Sequence, residues 1–262
     1  MRIITANLNG IRSAQKKGFF DWMATTNADV VCVQELKAQQ ADLTDEMSAP
    51  GDYKGYFSFA EEKGYSGVGV YAKQSPISLR HTLDHPIFDA EGRYVEADFG
   101  SYTVVSLYLP SASSRNPEEQ AIKQQKKDEA LRIFATHMQE LKGSGRSVII
   151  CGDWNIAHTE KDIKNAKGNK NSSGFLPHER QWMTDRFQGE GWVDIFRSLY
   201  PDEEALGYSW WSNMPGVFAK NVGWRLDYHV TTEDIGARSQ AAFVYKDVRF
   251  SDHSPVVADY SD

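Results

Sequence analysis

Only two cysteines occur in the 262 residues, Cys32 and Cys151, so no disulfide framework holds the fold. Each lies inside an apolar run, VVCVQE or VIICGD, and reads as a buried thiol in a reducing compartment. No apolar run approaches the roughly 18 residues of a membrane-spanning helix. The start, MRIITANLNG, has neither the long apolar stretch nor the small-residue cleavage site of a secretory leader. A cytoplasmic setting, away from membranes, is therefore expected. No long repeat and no low-complexity linker divides the chain, which predicts one domain over residues 1–262. Cys/His spacing for structural zinc is missing. So are the glycine-rich G-x-x-x-x-G-K phosphate loop and the G-x-S-x-G nucleophile elbow. The formal net charge of −7 counts against indiscriminate polyanion binding, yet leaves room for a local basic face.

What is present is a set of apolar runs that each end in polar residues. Ile3-Ile4 leads to Asn7 and Asn9, and Val30-Val31-Cys32-Val33 leads to Gln34-Glu35. Val104-Val105-Ser106-Leu107 leads to Tyr108, and Val148-Ile149-Ile150-Cys151 leads to Gly152-Asp153-Trp154-Asn155. Short β-branched runs of this kind read as strands buried on both faces. Further strands are predicted around Val68–Ala72, Tyr94–Phe99, Trp224–Thr231, Phe243–Phe250 and Pro255–Tyr260. Helices are fewer. The clearest starts at Asn116-Pro117-Glu118-Glu119, with Asn116 as N-cap, Pro117 in the first turn and Glu119 closing a capping box. Leu131, Phe134, Met138 and Leu141 then form one apolar stripe, and Gly143 ends the helix. Others are predicted from Pro177 to about Phe187 and near Gly18–Thr26. Strands outnumber helices without strict alternation. This favours an α/β (α+β) arrangement of two sheets packed face to face, with helices on the outer faces.

If the polar strand ends gather at one edge, they form a single cleft. Asp153 and Asn155 are two apart and project the same way in an extended segment, as do Asn7 and Asn9. Asn and Asp also end strands simply as turn formers, but Glu35 and Tyr108 are not turn formers. Two more elements join the set: Trp224-Arg225-Leu226-Asp227-Tyr228, and Ser251-Asp252-His253-Ser254-Pro255. Hard oxygen donors of this kind suit Mg²⁺. With the other hydrolytic signatures missing, metal-assisted hydrolysis by an activated water remains.

The segments NLNGIRS, VVCVQELK, SLYLP, CGDWNIAH, NVGWRLDY and FSDHSPV, in that order between Arg2 and Tyr260, resemble the motifs of exonuclease III-type apurinic/apyrimidinic endonucleases. These enzymes form part of the endonuclease/exonuclease/phosphatase superfamily. The resemblance implies a DNase I-like, four-layer α-β-β-α sandwich of two mixed, mostly antiparallel sheets. It implies Glu35, Asn7 and Asp252 as ligands of Mg²⁺ (with Mn²⁺ as a substitute), and Asn9 close by. Asp153 is implied as the residue that deprotonates or orients the attacking water, held by Asn155. His253 would bind the scissile phosphate, with Asp227 fixing its tautomer and favouring its protonated form. Tyr108 would contact the phosphate or transition state. Asp153, Asn155 and His253 are also implied holders of a second ion.

On the substrate side, the resemblance implies that Trp210, Trp224 and Leu226 wall a slot for a flipped-out abasic sugar. It implies Met214 as an apolar wedge into the base stack. Within Gly168–Pro177, Asn169 and Lys170 are the implied contacts beside the catalytic phosphate. Arg12, with Lys16, Lys17, Lys161, Lys164, Lys167, Lys170 and Lys220, would supply a basic face. Ser111 stands where the family usually has Asn or Gln and has a shorter reach. The implied activity is hydrolysis of the phosphodiester 5′ to abasic sites in duplex DNA, with 3′-phosphodiesterase and 3′→5′ exonuclease activity on blocked ends. The implied protein is a monomer of bacterial type, with the nucleoid as its place of action. Two alternatives stand beside this reading. One is a non-catalytic RNA-binding regulator similar to catabolite repression control proteins, which have lost catalytic residues, whereas Glu35, Asp153, Asn155, Asp227, Asp252 and His253 are all present here. The other is a phosphodiesterase acting on inositol phosphates or sphingolipids, which gives Trp210, Trp224 and Leu226 no purpose.

Overall fold

Strands that are apolar at every position must be covered on both faces. The computed structural model of the protein describes residues 1–261 and meets that demand with two six-stranded sheets packed face to face. The strands are β1 (Arg2–Asn7), β2 (Val30–Gln34), β3 (Lys54–Ser58), β4 (Val68–Ala72), β5 (Ser78–Arg80), β6 (Tyr94–Asp98), β7 (Thr103–Tyr108), β8 (Val148–Asp153), β9 (Val193–Asp194), β10 (Asp227–Thr231), β11 (Ser239–Val244) and β12 (Val256–Tyr260). The α-helices are α1 (Ile11–Lys16), α2 (Phe19–Thr25), α3 (Asp45–Ser48), α4 (Pro86–Asp89), α5 (Pro117–Gly143), α6 (Ala166–Asn169), α7 (Pro177–Thr184), α8 (Ile195–Leu199) and α9 (Glu233–Gly236). One sheet has the order β11-β12-β1-β2-β4-β3, the other β5-β6-β7-β8-β10-β9. Each has one parallel pair at its centre, β1 with β2 and β7 with β8. The remaining pairings are antiparallel.

The period-2 alternation sorts side chains into three apolar layers. Ile3, Val30, Cys32, Val104, Ile149 and Cys151 point between the sheets. Their neighbours Ile4, Val31 and Val33 face outward and are covered by Ile11, Phe19, Phe20 and Met23 of α1 and α2. Val105, Leu107, Val148 and Ile150 face the other way and pack under Leu131, Phe134, Met138 and Leu141 of α5. Both cysteines are free and buried, as expected. No helix among the described residues is long and apolar enough to cross a membrane.

Several local expectations shift. Asn116 caps α5 through Oδ1, which accepts from the Glu118 and Glu119 N–H groups. The capping box does not close directly: Ser114 Oγ accepts from the Asn116 N–H and donates to Glu119, which also pairs with Lys123. The helix from Pro177 ends at Thr184 and continues as a wider π-type turn over Asp185–Gly189. The strand predicted at Phe243–Phe250 is displaced to β11. The chain leaves the sheet after Val244, and Tyr245 and Phe250, stacked on each other, pack against Trp22 of α2. The strand predicted from Trp224 starts only at Asp227, after an extended lead-in.

That lead-in is fixed from beneath. Arg225 is buried; its Nε donates to Asp162 Oδ1 (2.8 Å), and its two terminal nitrogens donate to both oxygens of Asp194 (2.9 and 2.7 Å). Its guanidinium also lies 4.3 Å from the centre of the Tyr228 ring. With Arg225 anchored inward, Trp224 and Leu226 on either side turn the opposite way. Breaking a buried ion pair from one side leaves an uncompensated charge and costs about 3–5 kcal/mol. Arg225→Met should lower the unfolding free energy by that order in urea denaturation; an unchanged midpoint would contradict this account.

Candidate active site

Two rows of strand ends deliver the site. In one sheet Tyr108 pairs with Asp153 and Asp153 with Asp227, so a single row across β7, β8 and β10 carries three of the expected residues. In the other, Asn7 pairs with Gln34 at the ends of β1 and β2, and Glu35 follows. Asp252 and His253 lie in the turn before β12, beside β1. The parallel pairs finish where their antiparallel neighbours begin, and this is why residues far apart in sequence converge. Gly152 permits the close approach of β7 and β8: its φ is +150°, and a Cβ there would lie 1.9 Å from the Leu107 carbonyl oxygen. Asn9, Glu35, Lys37 and Asn155 all adopt left-handed backbone, with φ of 45°, 51°, 48° and 52°. Strain of this kind, of order 1–3 kcal/mol per residue, gathers at functional sites where the surroundings enforce it.

Asp153 is buried at the centre. Its Oδ1 accepts from the Asn155 N–H (2.8 Å), and its Oδ2 accepts from Asn7 Nδ2 (2.9 Å) and Asn155 Nδ2 (3.3 Å). Asn7 Nδ2 also donates to Glu35 Oε1 (2.9 Å), while Asn7 Oδ1 accepts from the Asn9 N–H (3.0 Å). In this orientation Asn7 offers the carboxylates its N–H groups, where the sequence reading has it as an oxygen ligand. His253 Nδ1 donates to Asp227 Oδ2 (2.8 Å), and its Nε2 lies 3.7 Å from Asp153 Oδ2. Asp227 Oδ2 also accepts from Ser209 Oγ (2.6 Å). Asp252 is engaged by Asn9, Ser251 and the Trp210 indole N–H. Tyr108 is held by Arg93, whose guanidinium lies 4.6 Å from the ring centre and donates to the Tyr108 carbonyl.

The electrostatics follow from this crowding. Burial pushes the Asp153 carboxyl well above the usual range; the Asp227 and Glu35 carboxylates add to it and His253 opposes it. Burial alone would depress His253, but Asp227 and Asp153 raise it to about 10. The imidazole is therefore charged at neutral pH and presents an N–H at Nε2. That form suits binding of a phosphate oxygen rather than donation of a lone pair to an ion. Burial would raise Glu35, but Lys37 at 2.7 Å and His253 hold it below its ordinary value. Burial and the Glu35 carboxylate keep Tyr108 a neutral phenol and hence a hydrogen-bond donor. A carboxylate oxygen each from Glu35 and Asp153 and a ring nitrogen of His253 lie within 4.8 Å of one another. An oxygen-rich donor set around a buried carboxylate that its neighbours repel fits a hard divalent cation.

These groups open onto one cleft of about 570 Å³. Tyr108, Ser111, Asn155, Trp210, Trp224, Leu226 and Asp252 line it. Trp210 and Trp224 meet edge to face at 6.1 Å, and Leu226 packs with Ile163 and Phe175 below them. Trp211 and Tyr208, from the same YSWW run, are core residues. Met214 is 70% exposed on the following loop. Asn169 and Lys170 do not line the cleft; Asn171, Ser172, Ser173 and Gly174 do. The Asn169 amide instead donates to the Lys164 and Asn165 carbonyls inside its own turn. Arg12 is likewise outside the cleft, with its guanidinium on the Lys37 carbonyl, and Lys161 is drawn to Pro201 and Asp202. Two cations near the site had no role in the sequence reading: Lys37, on Glu35, and Lys127, buried at the cleft wall. Lys127 keeps helical phase with Leu131, and nothing in that spacing distinguishes it from a surface lysine.

A histidine raised from 6.5 to about 10 by its partners contributes stability that is complete below pH 6.5 and is lost as pH climbs through 10. In EDTA, thermal melts of the protein should therefore fall across that window. His253→Gln should remove this alkaline limb; an identical pH profile in the variant would contradict the pairing.

A model of the endonuclease/exonuclease/phosphatase family matches residues 4–253. The exodeoxyribonuclease of Bacillus subtilis (strain 168) is 39% identical over 259 residues, covering 98% of both chains. The DNA repair nuclease APEX1 of Danio rerio is 33% identical, covering 98% of this chain and 81% of that one. An AP endonuclease structure from Archaeoglobus fulgidus superposes with a TM-score of 0.88 at 24% identity, covering 100% of both chains, and so shares the fold. On the strength of the family match and these near full-length relatives, the chain belongs to the endonuclease/exonuclease/phosphatase family.

Proposed function

We propose that the protein is a DNA repair nuclease that hydrolyses the phosphodiester 5′ to an abasic site, leaving a 3′-hydroxyl and a 5′-deoxyribose phosphate, with Mg²⁺ as cofactor. One observation carries the reading: the Glu35–Asp153–His253 cluster and the apolar wall of Trp210, Trp224 and Leu226 open onto the same cleft. A phosphate at the cluster would place the neighbouring sugar against that wall. The wall accepts a deoxyribose without its base, and flipping is least costly where no base is stacked. The names of the two curated relatives, an exodeoxyribonuclease and a DNA repair nuclease, support a DNA substrate.

The chemistry follows from the side chains. Asp153 takes the proton of the attacking water, and Asn155 and Asn7 hold its oxygens in place for that step. The water oxygen bonds to phosphorus, the bond to the 3′-oxygen breaks, and that oxygen leaves with a proton from solvent. Charged His253 and the neutral Tyr108 phenol donate to phosphoryl oxygens, where charge builds up. Asp227 keeps His253 charged and oriented. A divalent cation bound at Glu35 supplies Lewis-acid stabilisation of the same charge. The presence of Glu35, Asp153, Asn155, Asp227, Asp252 and His253 together opposes a binding-only regulator, which has no need of them.

Incision of a duplex carrying a tetrahydrofuran abasic analogue is expected in Mg²⁺ and abolished by EDTA; metal-independent cutting, or none, would refute the proposal. Asp153→Asn should reduce turnover by about 10²-fold or more, the scale of a lost general base, while affinity for the abasic duplex stays nearly unchanged. A matching loss of affinity would assign Asp153 to binding instead.

A further inference from the structure

The cleft wall next to Trp224 is backed by a buried ion pair that the reaction above does not use. Lys127 of α5 and Glu179 of α7 are both fully buried, with Nζ and Oε1 2.6 Å apart. Lys127 Nζ also donates to the backbone carbonyl of Asn155 (2.8 Å). Glu179 Oε2 accepts from the Gly174 N–H (2.7 Å) and the Leu176 N–H (3.0 Å), and its Oε1 accepts from Gln124 (3.1 Å). Gln124 in turn accepts from Ser173 Oγ (2.8 Å). One charged pair thus fixes the backbone of Asn155 and the segment 173–176 together.

Both held segments reach the reacting groups. Asn155 is the left-handed residue whose N–H and side-chain amide hold Asp153. The Gly174 carbonyl accepts from the Ala157 N–H, which closes the 173–176 segment against the chain after Asn155. Gly174 has φ +88°, and a Cβ there would meet the Asn155 carbonyl at 2.9 Å and the Trp224 ring at 3.3 Å. Phe175 packs on Leu226 in the slot wall. Replacing a buried ion pair by apolar side chains is often neutral for stability, so the fold alone does not require this pair. What apolar side chains cannot do is hold one carbonyl and two N–H groups at the edge of the cleft.

We propose that Lys127 and Glu179 are positioning residues for the hydrolysis: through Asn155 they set the orientation of Asp153, and through Gly174 and Phe175 they set the wall that holds the sugar. The inference rests on the nuclease reading. The test uses the full chain on the tetrahydrofuran duplex at saturating Mg²⁺, well below the melting temperature. Lys127→Met/Glu179→Gln removes both charges and the bond to Asn155. Misplacement by about an ångström costs on the order of 100-fold in rate. The double variant should therefore lose roughly that factor in kcat, with KM within about threefold of the parent. Glu179→Asp keeps the charge and shortens the reach to Gly174 and Leu176; its kcat should fall at least about tenfold while the protein stays folded at the assay temperature. A folded double variant with kcat within twofold of the parent would overturn the proposal. So would a loss confined to KM. If the double variant does not fold, Glu179→Asp decides alone, and parent-like kcat in it overturns the proposal. A parent that leaves the abasic duplex uncut contradicts the nuclease reading itself, which separates the two failures.

Discussion

Glu35 and Asp153 line one cleft with the imidazolium of His253, Asp227 is buried behind that ring, and the protein tolerates this concentration of charge only because each carboxylate has assigned partners. Asp153 has the least relief. It is buried, it faces two other carboxylates, and its carboxyl is pushed up accordingly. Charge repulsion that the fold does not cancel is available to a ligand. A bound cation would relieve it, and the charged His253 beside Asp153 offers an N–H to a phosphate oxygen. Preorganisation of this kind needs no rearrangement at the moment of reaction.

The central parallel pairs explain how such a pocket can form. Strands β1 and β2 in one sheet and β7 and β8 in the other end at the same edge, so Asn7, Glu35, Tyr108 and Asp153 arrive there together. The strands themselves were legible because both faces are covered and their sequences are apolar throughout. The candidate site residues were legible for a related reason: Glu35 and Tyr108 are poor turn formers at positions where a simple strand end would use one. Helix α5 was visible through Asn116, Pro117 and the stripe from Leu131 to Leu141.

What stayed hidden depends on pairings between distant segments. The loop after Asn165 uses the Asn169 amide to close its own turn, which brings Asn171 to Gly174 to the cleft instead of Asn169 and Lys170. A lysine in helical phase with an apolar stripe, such as Lys127, does not announce a buried partner 52 residues away in sequence. The Arg225 network is similar: Asp162 and Asp194 are unremarked acids in the sequence, yet they decide that Arg225 turns inward and that Trp224 and Leu226 turn toward the cleft. The orientation of Asn7, donor toward the carboxylates, also follows from a backbone N–H two residues on. Phe250, predicted in a strand, lies outside the sheet, stacked on Tyr245 and packed against Trp22 of α2, a pairing across some 230 residues that its own sequence neighbourhood does not show.

The account depends on the acidic cluster being a cation site. Calorimetric titration of the DNA-free protein with Mn²⁺ tests this directly. The parent should bind the ion, and Glu35→Gln, which keeps the shape but removes a carboxylate that Lys37 and His253 hold ionised, should weaken binding at least about tenfold, or 1.4 kcal/mol. Equal affinity in parent and variant, or no binding in either, would contradict the account.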